Sequence, residues 1–154
     1  KLLKSLVLKK IAGFFDQYIF NTALKAMAFG IIITIMVQSS SITTSLVVPL
    51  AGAGVLTLRQ IFPFTLGANI GTTVTALLAA ITGTVSALVA AFSHLLFNII
   101  GIIIIYCIPV LRNIPLKCAE IISEQAVTKK YLPLLYLFFI FVFIPLCIIY
   151  FGRT

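Results

Sequence analysis

The chain has 154 residues, of which 62% are hydrophobic and only 9% are charged. Soluble domains contain about 45–50% apolar and about 25% charged residues, so a water-soluble fold is excluded in favour of a membrane protein. The formal net charge is +8, but the basic residues lie at the ends of apolar segments, where they fix topology and contact lipid headgroups, so no nucleic-acid partner is expected.

Residues 1–25 are predicted to form an amphipathic helix at the cytoplasmic membrane interface. Apolar residues recur at helical spacing from Leu2 to Phe15, with lysines among them, a pattern typical of helices that lie on a membrane. The alternative is the cytoplasmic end of a membrane helix that begins earlier. Position 1 is Lys rather than Met, so we expect a segment of a longer protein.

Residues 26–56 contain two apolar runs, Ala26–Val37 and Ile42–Leu56, on either side of a polar Gln38-Ser39-Ser40-Ser41 motif. Each run gives a helix of roughly 20 Å, against a hydrocarbon core of about 30 Å. The segment is therefore either one long interrupted helix or a re-entrant hairpin with its polar tip at mid-membrane.

Residues 60–82 form a second interrupted apolar segment, with Gly67-Ala68-Asn69-Ile70-Gly71-Thr72-Thr73 at its centre. This motif is rich in glycine and contains an asparagine, which favours unwound backbone. Unwound backbone at membrane depth is tolerated only where it lines a cavity or is buried in protein. A transmembrane helix that is broken over this motif is predicted.

The rest of the chain contains two full-length membrane segments, within residues 85–108 and 131–154. Each has an apolar run that reaches the length of about 20 residues needed to span a bilayer. The connection 109–130 between them is polar, and a short helix is predicted over Leu116–Val127.

The distribution of basic residues decides between the two forms of residues 26–56. With a hairpin there, ten of the eleven Lys and Arg residues share one side of the membrane, which the positive-inside rule makes cytoplasmic. A spanning helix would instead divide them five against five, leaving Arg153 aside. The hairpin is therefore predicted, with the N-terminus, Arg59 and the connection 109–130 cytoplasmic and the turn near Gly83 outside.

Both interruptions carry polar side chains that can bind ions. These are Gln38, Ser39, Ser40, Ser41, Thr43, Thr44 and Ser45 in the first, and Asn69, Thr72, Thr73 and Thr75 in the second. Polar groups at membrane depth are costly unless they meet a partner or a ligand, and hydrogen bonding between helices is the simpler alternative. Half-helices that begin near Ser41 and Thr72 would direct N–H groups at an anion, and carbonyls released by unwinding could hold sodium.

The two motifs, in this order, resemble those of the type II sodium–phosphate cotransporter family. The similarity covers roughly Ala26 to Pro109, and its other parts are Pro49, Ala51-Gly52-Ala53-Gly54, Phe62-Pro63 and Ser93-His94-Leu95-Leu96-Phe97-Asn98. Members of this family carry the unit twice as inverted repeats, and the present copy is most similar to the second repeat in its bacterial form. The resemblance therefore implies half of an inverted-repeat transporter, which needs a second, similar repeat on the same full-length chain or on another subunit.

The resemblance implies sodium-coupled phosphate transport by alternating access across the plasma membrane, with sodium as the coupling ion and no cofactor. The motif positions become candidates for the substrate region, and the assignment of each ion follows from side-chain chemistry. Phosphate is assigned to Ser39, Ser40, Ser41, Thr72 and Thr73. Sodium is assigned to Gln38, Thr44, Ser45 and Asn69.

Three other functions are weighed against this one. A sodium-coupled transporter of another oxyanion, such as sulfate or a carboxylate, would use a similar hydroxyl-lined site. A structural or channel-like membrane module, which does not couple transport to sodium, would show sodium-independent flux or none. An enzyme is disfavoured because the serine cluster lacks a Gly-x-Ser-x-Gly motif and an accompanying His/Asp pair, and no phosphate-binding P-loop is present.

Overall fold

The computed structural model describes residues 13, 15–129 and 131–152, and in these ranges the chain is helical apart from short turns. The helices are α1 (Ala23–Val37), α2 (Ser40–Gly52), α3 (Leu58–Ala80), α4 (Val85–Cys107), α5 (Pro109–Thr128) and α6 (Leu132–Phe151). A π-helical turn, Phe15–Ile19, precedes α1. Helices α3, α4 and α6 are long and apolar enough to cross a membrane, so the protein is an all-α membrane protein. Most of the predicted interface helix lies outside the described residues.

The break between α1 and α2 is built from two capping residues. Gln38 ends α1 in a left-handed conformation, with φ 57°, and its N–H donates to Thr34 O at 2.7 Å. Ser39 is extended and caps α2, because its Oγ accepts from the N–H of Ile42 at 3.3 Å. A polar pair of residues therefore separates two helices that are each too short to cross a bilayer.

One hydrophobic cluster shows that the chain reverses direction at this break. The cluster joins Phe20 before α1, Val55 and Leu56 after α2, and Phe64 near the beginning of α3. Both ends of the α1–α2 segment therefore meet at the beginning of α3. Helices α1 and α2 form a helical hairpin, and Gln38 and Ser39 lie at its tip.

Helix α3 runs without interruption from Leu58 to Ala80, so the predicted break over Gly67–Thr73 is wrong. Its glycines serve close packing instead, since α1 lies directly against α3. A Cβ at Gly67 would collide with the carbonyl oxygen of Met27, and one at Gly71 would lie 2.6 Å from Thr34 Cβ. A glycine can thus mark a place where another backbone approaches rather than a place where the helix unwinds.

Helix α4 returns antiparallel to α3. The rings of Phe62 and Tyr106 lie 6.0 Å apart at one end of the pair, and near the middle Asn98 Nδ2 donates to Asn69 O at 3.4 Å. Thr84 caps α4 by accepting from the N–H of Ala87 at 3.3 Å. The order of helices α1 to α4 is therefore a hairpin followed by two long antiparallel helices.

The described residues divide into two compact units, one up to Arg112 and one from Asn113 onward. Helix α5 extends over almost all of the connection 109–130, so it is longer than the predicted short helix. Its early beginning is consistent with Pro109 at the first helical position, where proline is favoured. Helix α6 contains a π-helical segment, Phe139–Phe143, and exposes most of its apolar side chains.

Candidate functional site

The hairpin tip places two helix ends of opposite polarity beside each other. Helix α1 ends at Val37 with unpaired carbonyl groups, and α2 begins at Ser40 with unpaired N–H groups. The Ser39 hydroxyl satisfies the N–H of Ile42, which leaves the N–H groups of Ser40 and Ser41 without an intrahelical partner. A carbonyl end attracts cations and an N–H end attracts anions, so this tip can bind both kinds of ion.

Most threonine hydroxyls near the tip donate their proton to their own helix. Thr43 and Thr44 on α2 donate to Ser39 O and Ser40 O at 2.9 and 2.8 Å. Three further hydroxyls do the same, and they are Ser45, Thr72 and Thr75, donating to Ser41 O, Ala68 O and Thr72 O. A hydroxyl that already donates its proton in a hydrogen bond still has lone pairs on its oxygen, so these oxygens suit a cation better than an anion.

The three serines of the tip differ from those threonines. Within the described part of the chain, none of Ser39, Ser40 and Ser41 donates its hydroxyl proton to a protein acceptor. Ser39 and Ser40 are half-buried and Ser41 is exposed. Three free O–H donors and two free N–H donors therefore lie within three consecutive residues, and all of them can donate to an oxyanion.

The second motif lies beside the end of α1 rather than at a break of its own. A Cβ at Gly71 would lie 2.9 Å from Ile31 O and 2.6 Å from Thr34 Cβ, and Thr34 is one helical turn before Gln38. The structure thus brings the two motifs within about one helical turn of each other. Because α3 is continuous, the N–H groups of Thr72 and Thr73 are inside a helix, and the predicted second helix N-terminus is wrong.

Two residues of the second motif are placed less favourably for a ligand. Thr73 is 0% exposed, and its hydroxyl donates to Ile70 O at 2.7 Å. Asn69 is exposed, whereas the neighbouring Ala68 is 0% exposed against α1. In this unit the Asn69 side chain has no described polar contact with the tip, and its role as a sodium ligand stays a prediction.

Two polar residues outside the motifs were not predicted for the site. Asn98 connects α4 to the second motif through Asn69 O, and Thr34 lies buried at the crossing of α1 and α3. A single amide within the long apolar helix α4 was the available signal for Asn98. For Thr34 the signal was a lone hydroxyl in the apolar run Ala26–Val37.

Comparison with known proteins finds one family model and several relatives, all named for sodium-dependent phosphate transport. Residues 1–114 match the model of the family described as Na+/Pi-cotransporter. Sodium-dependent phosphate transport protein 2A of Ovis aries is 37% identical over 145 residues, which is 90% of this chain and 22% of that protein. Sodium-dependent phosphate transport protein 2B of Bos taurus is 39% identical over 148 residues, or 92% of this chain and 21% of that protein.

A third relative, sodium-dependent phosphate transport protein 2C of Rattus norvegicus, is 38% identical over 125 residues, or 79% of this chain and 21% of that protein. The chain thus spans about a fifth of the length of these relatives. No solved structure matches it.

Proposed function

This chain belongs to the Na+/Pi-cotransporter family, and on that premise we propose that it supplies one repeat of a sodium-coupled phosphate transporter of the plasma membrane. The observation that carries the proposal is the hairpin tip, where the carbonyl end of α1 and the N–H end of α2 meet at Gln38 and Ser39. The relatives are named for sodium-dependent phosphate transport, which requires sites for a cation and an anion together.

The tip geometry supports an assignment of each ion to one helix end. Phosphate would accept from the N–H groups of Ser40 and Ser41 and from the hydroxyls of Ser39, Ser40 and Ser41, at the positive end of α2. Sodium would bind near Gln38 at the negative end of α1, with Thr44 and Ser45 supplying oxygens. No Lys or Arg lies between Lys25 and Arg59, so the charge of the anion would be balanced by co-bound sodium.

The length of the hairpin supports a position for the tip within the membrane. Helix α1 has 15 residues, which is about 22 Å at a rise of about 1.5 Å per residue, against a core of about 30 Å. A hairpin entering from one face would therefore end inside the bilayer. In this proposal, alternating access arises when a second, inverted repeat covers the tip from the opposite face.

Uptake of radiolabelled phosphate into proteoliposomes tests the proposal with the complete protein that contains this chain. An inward sodium gradient should drive uptake, and replacement of sodium by choline should abolish it. Sulfate added in excess should not compete if phosphate is the substrate. Uptake that is independent of sodium would contradict the coupling, and sodium-driven sulfate uptake would favour the alternative oxyanion.

The proposed topology places Arg59 in the cytoplasm and the turn at Gly83 outside, and both positions are exposed. Single cysteines are introduced at these two positions in a background without Cys107, Cys118 and Cys147. We expect a membrane-impermeant maleimide to label Gly83→Cys from outside intact cells and Arg59→Cys only after permeabilisation. Labelling of both cysteines from the same side would contradict the hairpin topology.

Neutral substitutions at the tip should reduce transport without unfolding the protein. Losing one hydrogen bond to a charged group costs about 1.5–3 kcal/mol, or roughly tenfold to 150-fold in affinity. Ser40→Ala should therefore raise the apparent phosphate constant at least about tenfold, and Gln38→Gly should raise the sodium constant similarly. Glycine is chosen at position 38 because it keeps the left-handed backbone without strain.

Ser86→Ala, at an exposed position of α4 far along the chain from the tip, is the matched control for these two variants. It should leave both constants within about twofold of the wild-type values. If Ser40→Ala and Gln38→Gly also behave like this control, the polar tip has only a packing role.

A further inference from the structure

Thr34, in the last turn of α1, has a hydroxyl group that is enclosed but unpaired. Its side chain is 0% exposed, and its Oγ1 has no hydrogen-bond partner in the described chain. Thr43 and Thr73 are buried to the same degree, yet their hydroxyls donate to backbone oxygens at 2.9 and 2.7 Å. Burial alone therefore does not explain the unpaired hydroxyl of Thr34.

Local helical bonding does not explain it either. Seven other hydroxyls of α2 and α3 donate to a carbonyl three or four residues earlier, namely those of Thr43, Thr44, Ser45, Thr65, Thr72, Thr73 and Thr75. Thr34 is inside a helix as well and has a carbonyl at the same spacing. A buried polar group without a partner is costly, so a group that occupies this position in the working protein is expected.

The surroundings of Thr34 favour a cation as that group. The Cβ and the methyl group of Thr34 face Gly71, since a Cβ added at Gly71 would lie 2.6 and 3.1 Å from these two Thr34 atoms. The N–H of Gln38 donates a hydrogen bond to the Thr34 carbonyl oxygen. The carbonyls of the last three residues of α1 have no intrahelical partner. An unpaired hydroxyl oxygen beside the negative end of a helix is suited to sodium and poorly suited to phosphate.

We propose that Thr34 Oγ1 is a ligand of a sodium ion bound at the carbonyl end of α1. This inference rests on the proposed function and extends it by one residue, outside both sequence motifs. It also separates the two ions, because sodium then lies on the α1 side of the tip and phosphate on the α2 side. The Thr34 hydroxyl is therefore predicted to affect the sodium requirement more than the phosphate requirement.

Three variants of the complete protein test the role of this oxygen. Thr34→Val keeps the shape and removes the oxygen, whereas Thr34→Ser keeps the oxygen. Thr65→Val is the matched control, because the Thr65 hydroxyl is satisfied by Phe62 O at 2.7 Å on α3. The sodium constant of phosphate uptake and the rise in melting temperature on adding sodium chloride without phosphate, relative to choline chloride, are measured for each.

Thr34→Val should raise the sodium constant at least about tenfold, and Thr34→Ser and Thr65→Val should stay within about threefold of wild type. The sodium-dependent rise in melting temperature should be lost only in Thr34→Val. An unchanged sodium constant together with a higher sodium-free melting temperature would overturn the proposal, because Thr34 would then be an unpaired buried hydroxyl that valine improves. Thr34→Ala replaces the valine variant where that one does not fold.

Two further outcomes are distinguished by the same measurements. A lower melting temperature of Thr34→Val at every sodium concentration, with an unchanged sodium constant, would show that Thr34 binds a structural water, and this also overturns the proposal. If the wild-type protein shows no sodium-driven phosphate uptake, the proposed function fails. The sodium-dependent melting of wild type against Thr34→Val then still decides whether Thr34 binds the ion.

Discussion

Ser41→Asp should reduce sodium-driven phosphate uptake at least about 100-fold while leaving the protein folded, since like charges at close range repel by several kcal/mol. Ser41 is the second residue of α2, directly after the cap at Ser39 and the first residue Ser40. A carboxylate there would occupy the end of the helix that is proposed to bind the anion. An acidic residue in the first turn also stabilises a helix by about 0.3–1 kcal/mol, so loss of transport should come without loss of stability.

Ser86→Asp provides a control at the equivalent position of another helix. Ser86 is the second residue of α4, after a Thr84 cap that accepts from the N–H of Ala87 at 3.3 Å, the same distance as in the Ser39 cap. Both serines are exposed. Uptake of radiolabelled phosphate should stay within about twofold of wild type in Ser86→Asp. Equal activity of the two aspartate variants would show that the beginning of α2 does not bind phosphate.

Gly67→Ala should destabilise the protein by about 3 kcal/mol or more, at or beyond the upper end of the range for overpacking. A Cβ at this position would collide with the main chain of Met27 on α1. Side chains can rotate away from a new methyl group, but a helix backbone can only move as a whole. We expect a lower melting temperature in detergent and a lower yield of folded protein, with transport lost in proportion to both.

Gly101→Ala is the control for this substitution. Gly101 lies inside α4, and a Cβ added there would have no atom within 4 Å. Because alanine is a better helix former than glycine by about 0.5–1 kcal/mol, this variant should melt at or slightly above the wild-type temperature. If Gly67→Ala has the same melting temperature as Gly101→Ala, then α1 and α3 do not approach each other as closely as described.

The membrane class and the positions of the long helices follow from patterns that sequence carries directly. Apolar length predicts spanning segments, and α4 and α6 were expected within residues 85–108 and 131–154, close to where they are found. The break at Gln38 was also predictable, because a run of four polar residues cannot continue an apolar helix at no cost. These features depend on neighbours along the chain.

The error at Gly67–Thr73 arose because the cause of its glycines lies elsewhere in the chain. Whether a glycine unwinds a helix or admits another backbone depends on what packs against it, and Met27 is 40 positions away in sequence. The threonines of this motif also favoured the wrong prediction of a broken helix. Their hydroxyls bond to their own helix, as Thr72 does with Ala68 O at 3.1 Å, and thereby make a polar motif compatible with an unbroken helix.

The crossing of α1 and α3 has a consequence for leakage across the membrane. Between the hydrophobic cluster at Phe64 and the tip at Gln38, the two helices meet backbone to backbone at Gly30 and Gly67, and Gly71 packs against Ile31 O and the Thr34 side chain. A gate made of side chains can open when a rotamer changes, but a seal made of main chain has no rotamers. Close packing of this kind leaves little room for water or ions between α1 and α3, so in the proposed transporter the ions would reach and leave the tip along another face of the hairpin.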